Sequence, residues 1–294
     1  MTPPGLTIRE VVSRTGVEAP RLRMWEQRHG FPAPRRLPSG HRRYSEDDVE
    51  LIRRVVRGRG AGLELKAAID EARRAGVPAA RAVAEDSIYA GLLRRRPDMF
   101  GNVLPTRALI GISHAIADAC GVRASRGLLF ASFQRERHYR SAEARWRDLA
   151  GPAQSAIVLA DFPELREPPG APVEVPIDRS DPIGREWSVI CDGPEFTAML
   201  AGWERPGQDD LEDGERSFEV VWSTEPDVVR DAALVASSIA ERCAARLVEP
   251  IRNGLAAPIG GGVDPDAITS LTNRMVAYVG GARSLPAPRP SEAA

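Results

Sequence analysis

The sequence predicts a multi-domain chain: a small, mostly α-helical head ending in a basic β-hairpin, then a larger α/β body built on a mixed sheet. Three observations lead there. Residues 1–77 carry 16 Arg plus Lys against 10 Asp plus Glu, a net +6, whereas the remainder carries 24 against 31, a net −7. Within the head, two helix-capping boxes each open a short apolar stripe at helical spacing. Beyond Asp86, short apolar runs of strand type alternate with helical stripes. The expected boundaries are 1–77 for the head, 78–103 for a connecting helix and linker, 104–248 for the body, and 249–294 for a linker, an amphipathic helix and a disordered tail.

Composition narrows the function classes. No apolar run reaches the ~20 residues a membrane span needs, and no charged-then-apolar leader is visible at the N-terminus. Cys120, Cys191 and Cys243 are widely spaced and lie among apolar neighbours, which predicts buried free thiols in a reducing compartment and hence a cytoplasmic protein. A basic head on an acidic body suits a nucleic-acid reader joined to a module that does not bind phosphate.

In the head, Thr7 and Glu10 form the first capping box, and Ile8, Val11 and Val12 share a helical face until Gly16 interrupts it. A second helix is predicted from about Ala19 to His29, with Leu22 and Trp25 inward, Arg21, Met24, Gln27 and Arg28 outward, and Arg23 at the border. Glu26 falls on the inner side, where a salt bridge to a nearby arginine is its expected role. Gly30, Pro32 and Pro34 end the helix. Arg35-Arg36-Leu37-Pro38-Ser39-Gly40-His41-Arg42-Arg43-Tyr44 then reads as two short basic arms about a Pro-Ser-Gly turn, a hairpin wing. Ser45 and Asp48 open a third helix with the stripe Val49, Ile52, Val55 and Val56, and a fourth runs from about Leu65 to Ala75, stopping at Gly76.

Thr7–Val11, Leu22-Arg23-x-Trp25-Glu26 and Ser39-Gly40-His41-Arg42-Arg43-Tyr44-Ser45 resemble the winged helix-turn-helix of MerR-type transcription regulators. Trp25-Glu26 and the following Arg-His-Gly-Phe are most similar to the light-responsive, cobalamin-binding branch. The resemblance implies a homodimer on an inverted-repeat operator in double-stranded DNA, with RNA polymerase as a partner and DNA distortion as part of recognition. It implies Arg21, Arg23, Gln27 and Arg28 at the major groove, and Arg35, Arg36, His41, Arg42, Arg43 and Tyr44 at phosphates or the minor groove. Two departures matter. The long coiled-coil helix and cysteine loop of metal-sensing members are absent from Pro78 to Arg96, where only a loose pattern of Val83, Ile88 and Leu92 occurs. The acidic-x-His-x-x-Gly motif of the cobalamin branch is also absent; Glu136-x-His138 comes nearest, with Ser141 in place of glycine. No metal or cobalamin motif identifies a cofactor, which stays unknown.

In the body, strands are expected at 126–133, 156–160, 173–177, 187–191 and 218–222, with helices at 104–119, 141–150, 195–203 and 226–247. Gly207–Gly214 looks like a disordered acidic loop. Gly/Pro-rich Pro250–Asp264 reads as linker, Ala267–Val279 as an amphipathic helix, and Ser284 onward as disordered. Polar residues concentrate at Gln134, Arg135, Glu136, Arg137, His138 and Tyr139, continuing to Arg145 and Trp146; at Asp161; and at Arg185, Glu186 and Trp187. The first two groups follow strands, where open α/β sheets place ligands. The bland alternative makes them a solvated loop with structural pairs Arg145–Asp161 or Arg185–Glu136. His114, beside an apolar stripe, reads as a core histidine.

Ser87-Ile-Tyr-Ala-Gly-Leu-Leu-Arg-Arg-Arg-Pro-Asp, Ser132-Phe-Gln-Arg-Glu-Arg-His-Tyr-Arg, Arg145-Trp146, Ala160-Asp161-Phe162 and Arg185-Glu186-Trp187 resemble the DICT sensory domain over about 87–247. That resemblance implies a sensory, signal-transducing role and names no ligand. The combined reading is a one-component, sequence-specific DNA-binding regulator. One alternative has the body dock a protein partner instead of a small molecule. An enzyme is disfavoured, because there is no phosphate-cradling loop at a strand–helix junction (Gly260–Gly262 falls in the linker), no serine elbow and no paired histidines at metal spacing.

Overall fold

The computed structural model describes residues 5–37, 40–75, 86–99, 101–123, 126–208, 210–256 and 264–280. Pro38-Ser39 of the wing turn, Gly76 with residues 77–85, Gly260–Gly262 and the tail from Ser284 lie outside them. Two compact units are present.

The head packs four helices and a hairpin. Helix α1 (Ile8–Thr15) begins at the reciprocal Thr7–Glu10 box and ends at Gly16, whose φ of 69° places it in the left-handed region that glycine enters at little cost. Helix α2 (Ala19–His29) follows after a three-residue turn. Strands β1 (Arg35–Arg36) and β2 (Arg42–Arg43) pair antiparallel, and Leu6 extends the hairpin by exchanging backbone hydrogen bonds with Tyr44. Helix α3 (Glu46–Gly60) starts at the Ser45–Asp48 box, and α4 (Leu65–Ala75) packs against it. Val11, Leu22, Trp25, Phe31, Ile52 and Ile69 form one buried cluster. Met24, expected outward, is partly buried against it.

The body is a seven-stranded mixed sheet in the order β3-β9-β8-β7-β4-β5-β6. Its strands are β3 (Asn102–Pro105), β4 (Leu128–Ser132), β5 (Ser155–Ala160), β6 (Val173–Pro176), β7 (Glu186–Asp192), β8 (Thr197–Glu204) and β9 (Ser217–Ser223). Strands β4, β5 and β6 run parallel, whereas β4–β7, β7–β8 and β8–β9 pair antiparallel. Helices α5 (Ile88–Arg95) and α8 (Pro226–Leu255) cover one face; α6 (Thr106–Arg123), α7 (Glu136–Ala150) and α9 (Pro265–Val279) cover the other. Side chains alternate between the two cores. Leu128 and Phe130 of β4 join the α5/α8 core, and Leu129 and Ala131 join the α6/α7/α9 core.

Several expectations need correction. The helix expected over 195–203 is strand β8, every residue of which is buried. A strand covered on both faces carries no period-2 signal, and Asp192-Gly193-Pro194, the turn into it, was the unused cue. Residues 102–105 form a strand before α6 begins, so the sheet has seven strands where five were expected. Helix α5, placed in the connecting segment by the sequence, is a core element: Ile88, Tyr89 and Leu92 are fully buried. The acidic loop, expected to be disordered, is tied at both ends among the described residues: the Gln208 side chain bonds the Arg205 and Ser217 carbonyls and the Ser217 amide, and the Thr106 hydroxyl is shared between the carbonyls of Asp213 and Arg216. Helix α8 is kinked at Ala244 and its second segment continues to Leu255, and α9 buries Ala267, Leu271 and Met275 against the sheet's second core. Cys120 of α6 and Cys191 of β7 are both buried, as expected, and the packing of α6 on the sheet brings them side by side, with Cα atoms 6.6 Å apart, across 71 residues of sequence. Cys243 was also expected to be buried and is exposed.

Glu186 is the main polar anchor of the α5/α8 side. Its fully buried carboxyl accepts from the Ser87 hydroxyl and from the amides of Ile88 and Tyr89, the unpaired donors at the start of α5. Burial pushes its pKa up to about 8, against the pull of these hydrogen bonds. Between pH 4.5 and about 8 the folded chain retains a proton that the unfolded chain releases, so this group makes stability fall as pH rises through that window and stay level above it. Glu186→Gln is expected to remove that part of the slope in denaturant midpoints measured across the window. An unchanged slope would assign it to other groups.

Candidate functional site

The head presents its cations on two elements. On α2, Leu22 and Trp25 are buried, and this fixes the helix so that Arg21, Arg23, Gln27 and Arg28 are exposed. Arg35 and His41 are exposed on the wing. Among the described residues, none of Arg21, Arg23, Arg28 and Arg35 carries an ion pair, so each guanidinium is open to an external anion.

The other cations of the wing are engaged. Glu26, on the inner side of α2, accepts from Arg42 Nε at 2.6 Å, from Arg42 Nη2 at 3.2 Å and from Arg36 Nη2 at 2.8 Å. Burial raises the Glu26 pKa, but the hydrogen bonds and charges of the two arginines outweigh it and hold the carboxyl below its ordinary range. The arginine expected beside Glu26 is thus found on the wing, and there are two. Arg43 donates to the Arg42 carbonyl. Tyr44, expected at the DNA backbone, is 1% exposed and belongs to the head's core, because its strand position turns the ring inward. Arg73 of α4 donates to the carbonyls of His29 and Gly30, bracing the end of α2.

The second feature is a cavity of about 420 Å³ in the body, between α6 and α7 above the sheet. Phe133, Trp146, Trp187 and Phe218 supply its apolar walls, and Ser113, His114, Gln134, His138, Arg145, Asp213 and Arg216 its polar groups. The aromatic rings brace one another, Phe133 meeting Trp146 edge-on with centroids 6.2 Å apart and Trp187 at 6.1 Å. The Trp187 indole N–H donates to Ser113. Asp213, on the loop that closes one side, pairs with His138 Nε2 at 3.0 Å and with Arg137 at 2.7 Å. Burial raises the Asp213 pKa, and the His138 and Arg137 contacts bring it below the usual carboxylate range. Burial, helped by the Arg145 charge, holds the His114 pKa down, so that ring is neutral at physiological pH.

Gln134, His138, Arg145, Trp146 and Trp187 from the sequence-derived set line this cavity. The others do not. Asp161 accepts from the Glu136 amide at the start of α7 and from Arg179, and Glu136 pairs with Arg140. Arg135 donates to the Gln134 carbonyl, and Arg185 to that of Arg205. Tyr139 is fully buried in the core, and Glu186 lies on the opposite face of the sheet. Neither Arg145–Asp161 nor Arg185–Glu136 forms; Arg145 pairs with Asp118 at 3.3 Å. His114, read as a core residue, lines the cavity, as do Phe218, Asp213 and Arg216, which lie too far along the chain for local spacing to connect them. Ser113-His114 breaks the apolar run of α6, and both residues line the cavity. No group of three or more His, Cys, Asp or Glu side chains able to hold a metal occurs among the described residues.

Comparison with known proteins fits this geometry. Residues 6–75 match the model of the MerR HTH family regulatory protein, and residues 92–205 match DICT, the sensory domain in diguanylate cyclases and two-component systems. The chain therefore joins a MerR-family head to a DICT sensory domain. Over 53 residues it is 45% identical to the HTH-type transcriptional repressor CarA of Myxococcus xanthus, a stretch that covers 18% of this chain and 18% of that protein.

The Glu26 clamp makes a counter-intuitive prediction. Glu26→Gln removes a negative charge beside the cationic surface, yet it is expected to weaken DNA binding, because the wing loses its tie to α2. The clamp should contribute about 1 kcal/mol to the stability of the head. Tighter binding by the variant in a filter or fluorescence titration would show that its charge matters more than its clamp.

Proposed function

We propose that this chain is a one-component transcription regulator that binds promoter DNA through its MerR-family head and is modulated by a signal acting on its DICT domain. The observation that carries the DNA-binding half is the unpaired cationic set on two adjoining elements, Arg21, Arg23 and Arg28 on α2 and Arg35 on the wing. An exposed helix with a long polar face suits the major groove, and a basic hairpin beside it suits the flanking phosphates or minor groove. Gln27 has the amide chemistry to read adenine, and Arg21 and Arg28 the bidentate chemistry to read guanine. His41, Arg36 and Arg43 flank the contact, and Arg42 acts on it through Glu26.

The family match supports a homodimer on an inverted repeat, with RNA polymerase as the further partner and the cytoplasm as the compartment. A regulator, and not an enzyme, is supported by how the body uses its carboxylates. Glu136, Asp161 and Glu186 are each committed to helix starts or arginines. The cavity favours a small-molecule signal over protein docking, since it offers an interior where a docking site would offer a face.

Two substitutions test the DNA-binding half. Arg28→Ala is expected to cost about 1–3 kcal/mol on the preferred operator and much less on unrelated DNA. Arg35→Ala is expected to weaken binding on all sequences and to lower the slope of log affinity against log salt by about 0.9. Equal losses on every sequence for Arg28→Ala, or an unchanged salt slope for Arg35→Ala, would refute the assigned roles. A footprint confined to one half-site at saturating protein would refute the dimer.

A further inference from the structure

We propose that the cavity between α6 and α7 is the sensory site of the body, and that it takes a ring-bearing, largely apolar molecule carrying one anionic group. The inference rests on the regulatory reading above and deepens it. The volume of about 420 Å³ falls in the range of small-molecule sites, and four aromatic side chains from three strands or strand ends and one helix line it. Phe133 meets Trp146 edge-on and Trp187 at a tilt, and the rings present further faces and edges to a guest ring.

The polar end is set by Arg145 and His138. Arg145 Nη1 and His138 Nδ1 are buried without a hydrogen-bond partner, and both side chains line the cavity. Such atoms are costly inside a protein unless something meets them. Arg145 Nη1 stands 3.3 Å from Asp118 Oδ1 as an ion pair, and the other Asp118 oxygen accepts from the Tyr278 hydroxyl, so a guest anion shares the guanidinium with Asp118 and meets its remaining N–H groups. A carboxylate or sulfonate would answer Arg145 through a charge-assisted hydrogen bond. His138, whose Nε2 is held by Asp213, offers Nδ1 as acceptor when neutral and donor when charged, which suits a hydroxyl or a second oxygen on the same guest.

The test uses the full chain and two fluorescent probes of similar ring size, the anion anilinonaphthalene sulfonate and the uncharged phenyl-naphthylamine. Both are expected to bind saturably at one site per chain while near-ultraviolet dichroism stays native. Ala142→Phe and Ile110→Phe, which fill the cavity from α7 and α6, should each weaken both probes by about tenfold or more. Arg145→Met should weaken the sulfonate by about tenfold or more and leave the uncharged probe nearly unchanged. If Ala142→Phe loses native dichroism, Ile110→Phe and the Arg145 comparison decide. Probe binding indifferent to the filling variants overturns the site, as does absence of saturable binding, which would leave a cavity holding water only. Equal weakening of the two probes by Arg145→Met overturns the anionic end. Operator affinity is read on the same samples. Intact operator binding with no probe binding overturns the site and spares the DNA-binding reading. Saturable probe binding with unaltered operator affinity keeps the site and overturns the coupling.

Discussion

Burial of the sheet on both faces is the constraint on which the body depends. Neighbouring residues on a strand serve opposite cores, so one strand can do two unrelated jobs at once. Strand β7 shows the consequence: Glu186 turns to one side and fixes the start of α5, while Trp187 turns to the other and forms a wall of the cavity. The same strand carries Cys191 into contact with α6. Support and recognition are thus one residue apart in sequence and a sheet's thickness apart in space.

The head solves a different problem. It must hold a two-strand hairpin, too small to be stable alone, at a set angle to a helix. Leu6 extends the hairpin, Tyr44 anchors it in the core, and Glu26 ties two of its arginines to α2. The arginines of the head therefore divide between those that build the surface and those left open to an anion. Counting basic residues cannot make that division, because Arg35 and Arg36 are neighbours with opposite fates.

This division also marks how far the sequence could be read. Capping boxes, Gly16 and the helical stripes were legible because helix ends and amphipathic faces are local properties, and the α/β class followed from alternating runs. Strand β8 was not legible, since a doubly buried strand of Ala, Met and Leu looks like a helix until its neighbours are known. The cavity was half legible. Gln134, Arg145, Trp146 and Trp187 stand in conspicuous polar–aromatic runs, whereas His114, Phe218 and Asp213 join them only through tertiary packing. Glu186 and Asp161 looked like site residues because buried carboxylates and binding carboxylates share the same sequence signature. Their helix amides decide between the two.

The loop closing one side of the cavity makes that side sensitive to salt. Asp213 is held to α7 by an exposed ion pair with Arg137 and a partly buried contact with His138, and the Thr106 hydroxyl donates to its backbone carbonyl. Ion pairs of that kind contribute little, about 0–1 kcal/mol each. The sheet and helices that shape the interior are far more firmly held. Salt therefore weakens this side of the cavity before it affects the sheet or the helices.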